Sequence, residues 1–283
     1  VATMSGYTTV ALFGLDTRES GQLGKGNRSD TIIIASINND TGEVRLASVF
    51  RDTYLDMTTG KFNKANSAYS TGGPEQAIKN LDLTIEKYIS VDFAAMTDAV
   101  DLLGGIDIDV DETEIDHLNN YMVETSKVTG VASKPLTHTG LQTLDGVQAT
   151  SYCRIRYTAG DDFKRTERQR EVIQELVRKA KTMEISKIND IINAVFPKIA
   201  TNYSNKELLE MAPQMIGYDI ADTAGFPFDR ETGTISGRGS CVIPVNLAEN
   251  VRQLHEFLYE NYDYTPSSEV QKISEQITAD TGY

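Results

Sequence analysis

Residues 30–50 read DTIIIASINNDTGEVRLASVF, and the fold is decided here. "DTIIIASI" (30–37) is a nearly continuous apolar run, as expected of a strand covered on both faces. "NNDTG" (38–42) gathers turn formers, and "EVRLASVF" (43–50) alternates well enough to return as a second strand beside the first. Upstream, "TTVALFGLD" (8–16) is another β-rich apolar run that stops at a Gly and an Asp. Taken as antiparallel neighbours, the first of these three strands ends where the second begins and where the third ends.

Further along, "GGPEQAIKNLDLTIEKY" (72–88) predicts a helix opened by Pro74, with Ala77, Ile78, Leu81 and Ile85 as its apolar stripe. "DFAAMTDAVDLLGG" (92–105) predicts a helix with Asp92 as N-cap and Gly104 near its end. Ala95, Met96, Ala99 and Leu103 in it have ordinary core spacing. "IDIDVD" (106–111) alternates as a strand with one solvated face, and 112–138 reads as an irregular loop. A short helix over 143–151, capped by Thr143, leads into a predicted strand "YCRIRY" (152–157). An amphipathic helix follows from about Thr166 to Met183. Ser204 and Glu207 form a capping box for a helix over 204–217. "RGSCVIPV" (238–245) reads as a strand and 246–262 as a helix. Strands and helices mix without strict alternation. That predicts an α/β fold, a mixed central β-sheet sandwiched between helices, as one domain over 1–262 with a polar, mobile tail over 263–283.

The chain of 283 residues carries 27 Lys and Arg against 41 Asp and Glu, a net charge of −14, which argues against nucleic-acid binding. No run approaches the roughly 20 apolar residues that span a bilayer. Cys153 and Cys241 fit no zinc spacing; they are two thiols or, outside the cytoplasm, one disulfide. His117, His138 and His255 are too scattered for a histidine metal site.

Against this acidic background, "SYCRIRYTAGDDFKRTERQR" (151–170) holds six basic side chains and three acidic ones, a local +3. Period-2 geometry would send Arg154 and Arg156 to one strand face, where they repel unless an anion or nearby carboxylates lie between them. Arg165, Arg168 and Gln169 fall within one turn of a helix start, a place that attracts anions. The three strand ends add Asp16 and Arg18, Arg28 and Asp30, and Arg51 and Asp52 along one predicted sheet edge. Carboxylates beside arginines, without His or Cys, suit a hard cation such as Mg²⁺ that also touches phosphate oxygens. Guanidinium forks suit the phosphates themselves. The local chemistry is that of a Mg²⁺-assisted site for a phosphorylated ligand.

These stretches resemble the LytR-CpsA-Psr family of bacterial cell-envelope proteins. The resemblance runs in order through "LFGLDTR", "NRSDTIIIASIN", "ASVFRDTYLDM", "KFNKANSAYSTGG", "ISVDFAAMTDAVDLLGGIDIDV", "GLQTLDGVQATSYCRIRY" and "GDDFKRTERQREVI". Phe50 stands where the family usually has Pro before Arg-Asp-Thr. The resemblance implies a hydrophobic channel for a polyprenyl chain, an N-terminal transmembrane anchor outside this chain, and a place on the extracellular face of the bacterial cytoplasmic membrane. It implies transfer of a glycopolymer (teichoic acid or capsule polysaccharide) from a polyprenyl-diphosphate carrier to a muramic-acid hydroxyl of peptidoglycan. By the same resemblance Asp16 and Asp30 would hold Mg²⁺, and Arg28, Arg154, Arg156, Arg165 and Gln169 would grip the diphosphate. Arg51 would stand beside the reacting phosphoryl group, with Asp52 or Asp162 accepting the acceptor's proton. The alternatives are a polyprenyl diphosphatase using water and a module that binds polyprenyl phosphate without turnover.

Overall fold

The computed structural model describes residues 4–17, 21–24, 26–58, 60–157 and 161–283. Arg18, one of the strand-end residues above, lies outside them. In chain order the elements begin with β1 (Tyr7–Asp16), β2 (Arg28–Asn38), β3 (Glu43–Val49), β4 (Tyr54–Thr58), β5 (Lys61–Lys64), α1 (Asn66–Gly72) and β6 (Lys87–Val91). Next come α2 (Phe93–Leu102), β7 (Ile106–Val110), α3 (Ile115–Thr129), β8 (Gly140–Leu144), α4 (Gly146–Tyr152), α5 (Asp161–Lys181), α6 (Ile185–Val195), β9 (Ala200–Thr201) and α7 (Asn205–Met215). The chain closes with β10 (Asp219–Phe226), β11 (Arg230–Ile235), β12 (Gly239–Pro244), α8 (Leu247–Tyr259) and α9 (Ser268–Thr281). The fold is mixed α/β, with a central sheet in the order β10-β3-β2-β1-β6-β9 flanked by helices. Two compact units emerge: Val1–Gly14, Gly24–Ile89 and Tyr218–Tyr283 form one, and Leu15–Leu23 with Ser90–Gly217 the other.

In the first unit the two strands read from residues 30–50 pair as expected. β2 and β3 are antiparallel, with Ile33 opposite Ser48 and Ile37 opposite Val44. β10 joins β3 in parallel, Phe226 beside Val49, which makes the sheet mixed. Ile32, Ile33 and Ile34 are all buried although successive side chains point to opposite faces. Both faces of β2 are therefore covered, which is why its sequence is a run rather than an alternation. α1 packs on β2, and α8 packs on β2 and β3. Ser36 Oγ donates to the Leu258 carbonyl at 2.6 Å, and Arg45 Nη1 to that of Phe257 at 2.9 Å.

Two predictions in this unit are corrected. The helix expected over 72–88 is α1 ending at Gly72, then a 3₁₀ segment, Gln76–Leu81. Asp82 stops it: at φ 49° its carboxylate accepts from the Ser267 backbone N–H and hydroxyl at 2.7 and 2.6 Å. Ala77, Ile78 and Leu81 of the expected stripe are buried all the same. Residues 263–283, read as a polar tail, carry α9, whose Val270, Ile273 and Ile277 are buried and whose Ser267 caps the start.

In the second unit Asp92 caps α2 as predicted, accepting from the Ala95 N–H at 2.9 Å. Ser204 and Glu207 form their capping box at α7. Four expectations are corrected. Residues 112–138 are not an irregular loop but contain α3, whose Leu118, Met122 and Thr125 are buried at helical spacing. The cap of α4 is Asp145 rather than Thr143, in a capping box with Gln148. "YCRIRY" is no strand: α4 runs through Tyr152, and Cys153 and Arg154 continue it as a turn, with Cys153 N–H bonded to Ala149 O and Arg154 N–H to Ser151 O. α5 also starts earlier than Thr166, at Asp161.

The second unit's core gathers Val100, Ile106, Ile108, Leu118, Val147, Ile155 and Val172, with Met96 packed against it. Leu103 packs with Ala180, Ile188 and Ala212 in a smaller cluster.

Candidate functional site

The predicted site residues fall into two groups, one on each unit. In the first unit, β3 ends at Val49 and a tight turn follows. Thr53 donates to the Phe50 carbonyl through its N–H at 3.0 Å and its hydroxyl at 2.6 Å. The Asn66 N–H at the head of α1 bonds the Arg51 carbonyl at 2.9 Å. The turn thus fixes the backbone of Arg51 and Asp52. Arg51 Nη1 donates to Asp30 Oδ1 at 2.7 Å, and Arg51 Nε lies 3.8 Å from Asp52 Oδ2. Lys64 Nζ, at the end of β5, is 3.2 Å from the other oxygen of Asp52. Arg28 is exposed at the start of β2. Asp30, Arg51, Asp52 and Lys64 therefore form a continuous chain of alternating charge.

Phe50, where the related family usually has Pro, is buried. Its N–H bonds the Phe226 carbonyl at 3.0 Å, a bond that proline would lack. Gly225 leaves room for the ring, since a Cβ there would lie 2.4 Å from Phe50 Cζ. The Arg230 guanidinium sits 4.9 Å above the ring centroid. Phe50 is thus locked, and Arg51 is its neighbour.

In the second unit the cations lie on the segment between α4 and α5 and on the first turns of α5. Arg154 is held by α3: Nη2 donates to Glu124 at 2.7 Å and Nη1 to Thr125 Oγ1 at 3.1 Å. Its guanidinium also lies 4.4 Å from the Phe93 ring centroid and 5.2 Å from that of Tyr121. Arg156 Nε is 4.0 Å from Asp161, and its side chain is 32% exposed, the most open of the three predicted arginines here. Arg165 Nη2 meets Asp162 Oδ1 at 2.5 Å with both side chains largely enclosed. Asp161 and Asp162 occupy the first turn of α5, where the helix dipole favours negative charge.

Gln169 is buried, and its Nε2 donates to the Cys153 carbonyl at 3.2 Å. In this orientation its oxygen, Oε1, is itself enclosed and has no hydrogen-bond partner among the described residues. Asp16 is exposed at the end of β1. Further on, Asp92 accepts from the Gly21 N–H at 2.8 Å.

Sequence reasoning missed Phe93, Tyr121, Glu124 and Thr125. All four lie on α3 or at the head of α2. The signal lay in Leu118, Met122 and Thr125, whose spacing is that of one helix face. Tyr157 is exposed and stacks toward Tyr121, ring centroids 6.5 Å apart at 9°. Both cysteines are free thiols, and burial pushes Cys153 up to about 12, so it is inert as a nucleophile near neutral pH.

Among the described residues no cluster of three or more His, Cys, Asp or Glu forms a metal cage. Asp16, on the second unit, and Asp30, on the first, each offer the kind of carboxylate oxygen that a hard cation such as Mg²⁺ takes. Two cavities of the first unit, about 680 and 1000 Å³, contain none of the predicted site residues. No described helix is long and apolar enough to cross a membrane.

A model of the LytR_cpsA_psr family matches residues 2–239. A polyisoprenyl-teichoic acid–peptidoglycan teichoic acid transferase, TagU of Enterococcus faecalis, is 32% identical over 72% of this chain and 64% of its own length. TagV of Bacillus subtilis, with the same activity in its name, is 28% identical over 87% of the chain and 62% of its own length. The chain therefore spans less than two thirds of these relatives. Among solved structures, protein gbs0355 of Streptococcus agalactiae superposes with a TM-score of 0.74 at 24% identity, covering 93% of this chain and 90% of that one. The crystal structure of B. subtilis TagV gives 0.70 at 24% identity, over 92% and 98%. At these identities the superpositions establish the fold.

Proposed function

The chain belongs to the LytR_cpsA_psr family, and from that premise we propose that it is a glycopolymer–peptidoglycan phosphotransferase acting on the extracellular face of the bacterial cytoplasmic membrane. The donor is a polyprenyl-diphosphate-linked glycopolymer and the acceptor a muramic-acid hydroxyl. A membrane anchor N-terminal to this chain and an apolar channel for the polyprenyl tail belong to the same proposal. The observation that carries it is the concentration of arginines in an otherwise acidic chain, with Arg154 bound by Glu124 of α3 and Arg165 by Asp162 of α5.

In this reading Arg156 and Arg165 meet the diphosphate directly, with Arg28 and Arg154 adding positive potential. The acceptor oxygen attacks the phosphorus next to the sugar. A P–O bond forms there, the P–O bond to the lipid phosphate breaks, and polyprenyl monophosphate leaves. Arg51 offsets the charge that builds on the phosphoryl oxygens. Asp30 orients Arg51 through the 2.7 Å bond. Asp162, whose near oxygen is bound by Arg165, orients that guanidinium. Asp52 then receives the acceptor's proton, with Lys64 at 3.2 Å placing the carboxylate. A Mg²⁺ ion ligated by Asp16 and Asp30 would further neutralise the diphosphate when bound.

The test supplies a short polyprenyl-diphosphate-linked saccharide with and without peptidoglycan fragments and Mg²⁺. Acceptor-dependent release of lipid monophosphate, with saccharide joined to muramic acid, supports the transferase. Release without saccharide transfer points to a diphosphatase. Tight binding with no turnover, acceptor and metal present, overturns both in favour of a binding module.

A further inference from the structure

Arg165, Arg168 and Arg170 of the basic stretch are all buried, and Arg168 reaches across to α3. Arg168 is buried, and Glu114, immediately before α3, is buried beside it. Arg168 Nε donates to Glu114 Oε2 at 2.5 Å, and its Nη1 donates to the Ile155 carbonyl at 3.1 Å. The next residue, Gln169, donates to the Cys153 carbonyl at 3.2 Å. Two consecutive α5 side chains thus hold the carbonyls of Cys153 and Ile155. Each of those carbonyls shares a peptide plane with the N–H of Arg154 or of Arg156. Fixing the plane fixes the direction in which the arginine leaves the backbone.

Glu114 also closes the other end. Its Oε1 accepts from the Asp111 N–H at 3.2 Å, and its carbonyl accepts from the Leu118 N–H at 2.8 Å, in the first turn of α3. Further along that helix Glu124 and Thr125 grip the Arg154 guanidinium. A single buried ion pair therefore registers α3, α5 and the segment between them.

We propose that Arg168 and Glu114 form a positioning pair that sets the aim of Arg154 and Arg156 without touching the ligand; this rests on the reading of that segment as the diphosphate grip. Only the guanidinium fork reaches a carboxylate and a carbonyl together, so lysine does not substitute. Displacing the binding groups by about 1 Å is enough to cost ten- to a hundredfold.

The experiment uses the whole chain and inorganic pyrophosphate, with dissociation constants measured over a range of salt concentrations and folding checked by thermal melts. The variants are Arg168→Lys and the doubly neutral Arg168→Met/Glu114→Met, beside Arg156→Ala. The expected result is folded protein with affinity at least tenfold weaker in both Arg168 variants and an unchanged salt slope, because the cations touching the ligand are the same in number. Arg156→Ala should instead flatten the slope, as loss of a direct ionic contact does. Wild-type affinity in folded Arg168→Lys overturns the pair, and so does a slope flattened as in Arg156→Ala, which would make Arg168 a direct contact. If the double variant does not fold, Arg168→Lys decides by the same criteria. Should Arg156→Ala bind pyrophosphate as wild type does, it is the diphosphate reading that fails rather than the pair.

Discussion

Replacing Arg165 by Met separates what the basic segment does for folding from what it does for binding. The Arg165 side chain is 5% exposed and that of Asp162 12%, with 2.5 Å between the bonded atoms. Removing one partner of such an enclosed pair costs about 3–5 kcal/mol, because the other charge stays desolvated. Asp162 keeps the favourable field of the α5 N-terminus, worth up to ~1 kcal/mol, so the lower end, about 3 kcal/mol, is expected. For a unit of this size that is a fall in Tm of about 6–12 °C. The double variant Arg165→Met/Asp162→Leu removes both charges and should recover to within about 1 kcal/mol of wild type. Binding should behave differently. A charge-assisted bond to phosphate contributes about 1.5–3 kcal/mol, so pyrophosphate affinity should fall roughly ten- to 150-fold in the single and the double variant alike. Thermal melts and calorimetric titration at one salt concentration read both quantities. Equal destabilisation in the two variants, or recovery of binding along with stability in the double one, would refute the reasoning.

Gly225→Ala should lose about 1–3 kcal/mol and blunt turnover, because its Cβ would meet the Phe50 ring at 2.4 Å and Phe50 carries Arg51 with it; urea unfolding and a turnover assay check both. His255 is buried, its Nε2 lies 3.0 Å from the Leu81 carbonyl, and burial lowers its pKa. The neutral form is favoured in the native state, so its contribution is complete above about pH 6.5. That contribution is lost as pH falls from there through the depressed native value, because the unfolded chain takes up the proton first. Melts from pH 8 to 5 should show this decline in wild type and a flatter profile in His255→Gln. Ending the chain at Thr265 removes α9 with its buried Val270, Ile273 and Ile277, three side chains at about 1.5–3 kcal/mol each. That truncation should lower stability by roughly 5 kcal/mol or more in denaturant titration.

Local chemistry explains which parts of the molecule were legible from sequence. The β2–β3 hairpin was readable because burial on both faces leaves an unbroken apolar run and the turn declares itself in "NNDTG". The caps at Asp92 and Ser204 were readable because capping is decided by side chains within three residues. α3 was hidden by its polar residues, since only Leu118, Met122 and Thr125 are fully buried. The segment "YCRIRY" misled for a different reason. Its alternation of charged and apolar residues imitates a strand, while the true cause is tertiary, with Arg154 reaching α3 and Ile155 entering the core. The arginines were therefore found and their supports were not. Glu114, Glu124 and Phe93 matter through contacts 54, 30 and 61 positions away in the chain.

The most direct test of the central claim follows phosphorus itself. A short polyprenyl-diphosphate-linked saccharide, Mg²⁺ and a muramyl acceptor are incubated with wild type or Arg51→Ala and watched by ³¹P NMR. The prediction for wild type is that the diphosphate pair of signals gives way to one polyprenyl monophosphate and one phosphodiester. Arg51→Ala should bind the lipid yet leave the diphosphate intact. Turnover in Arg51→Ala at the wild-type rate, or lipid monophosphate formed by wild type with no phosphodiester, would contradict the account.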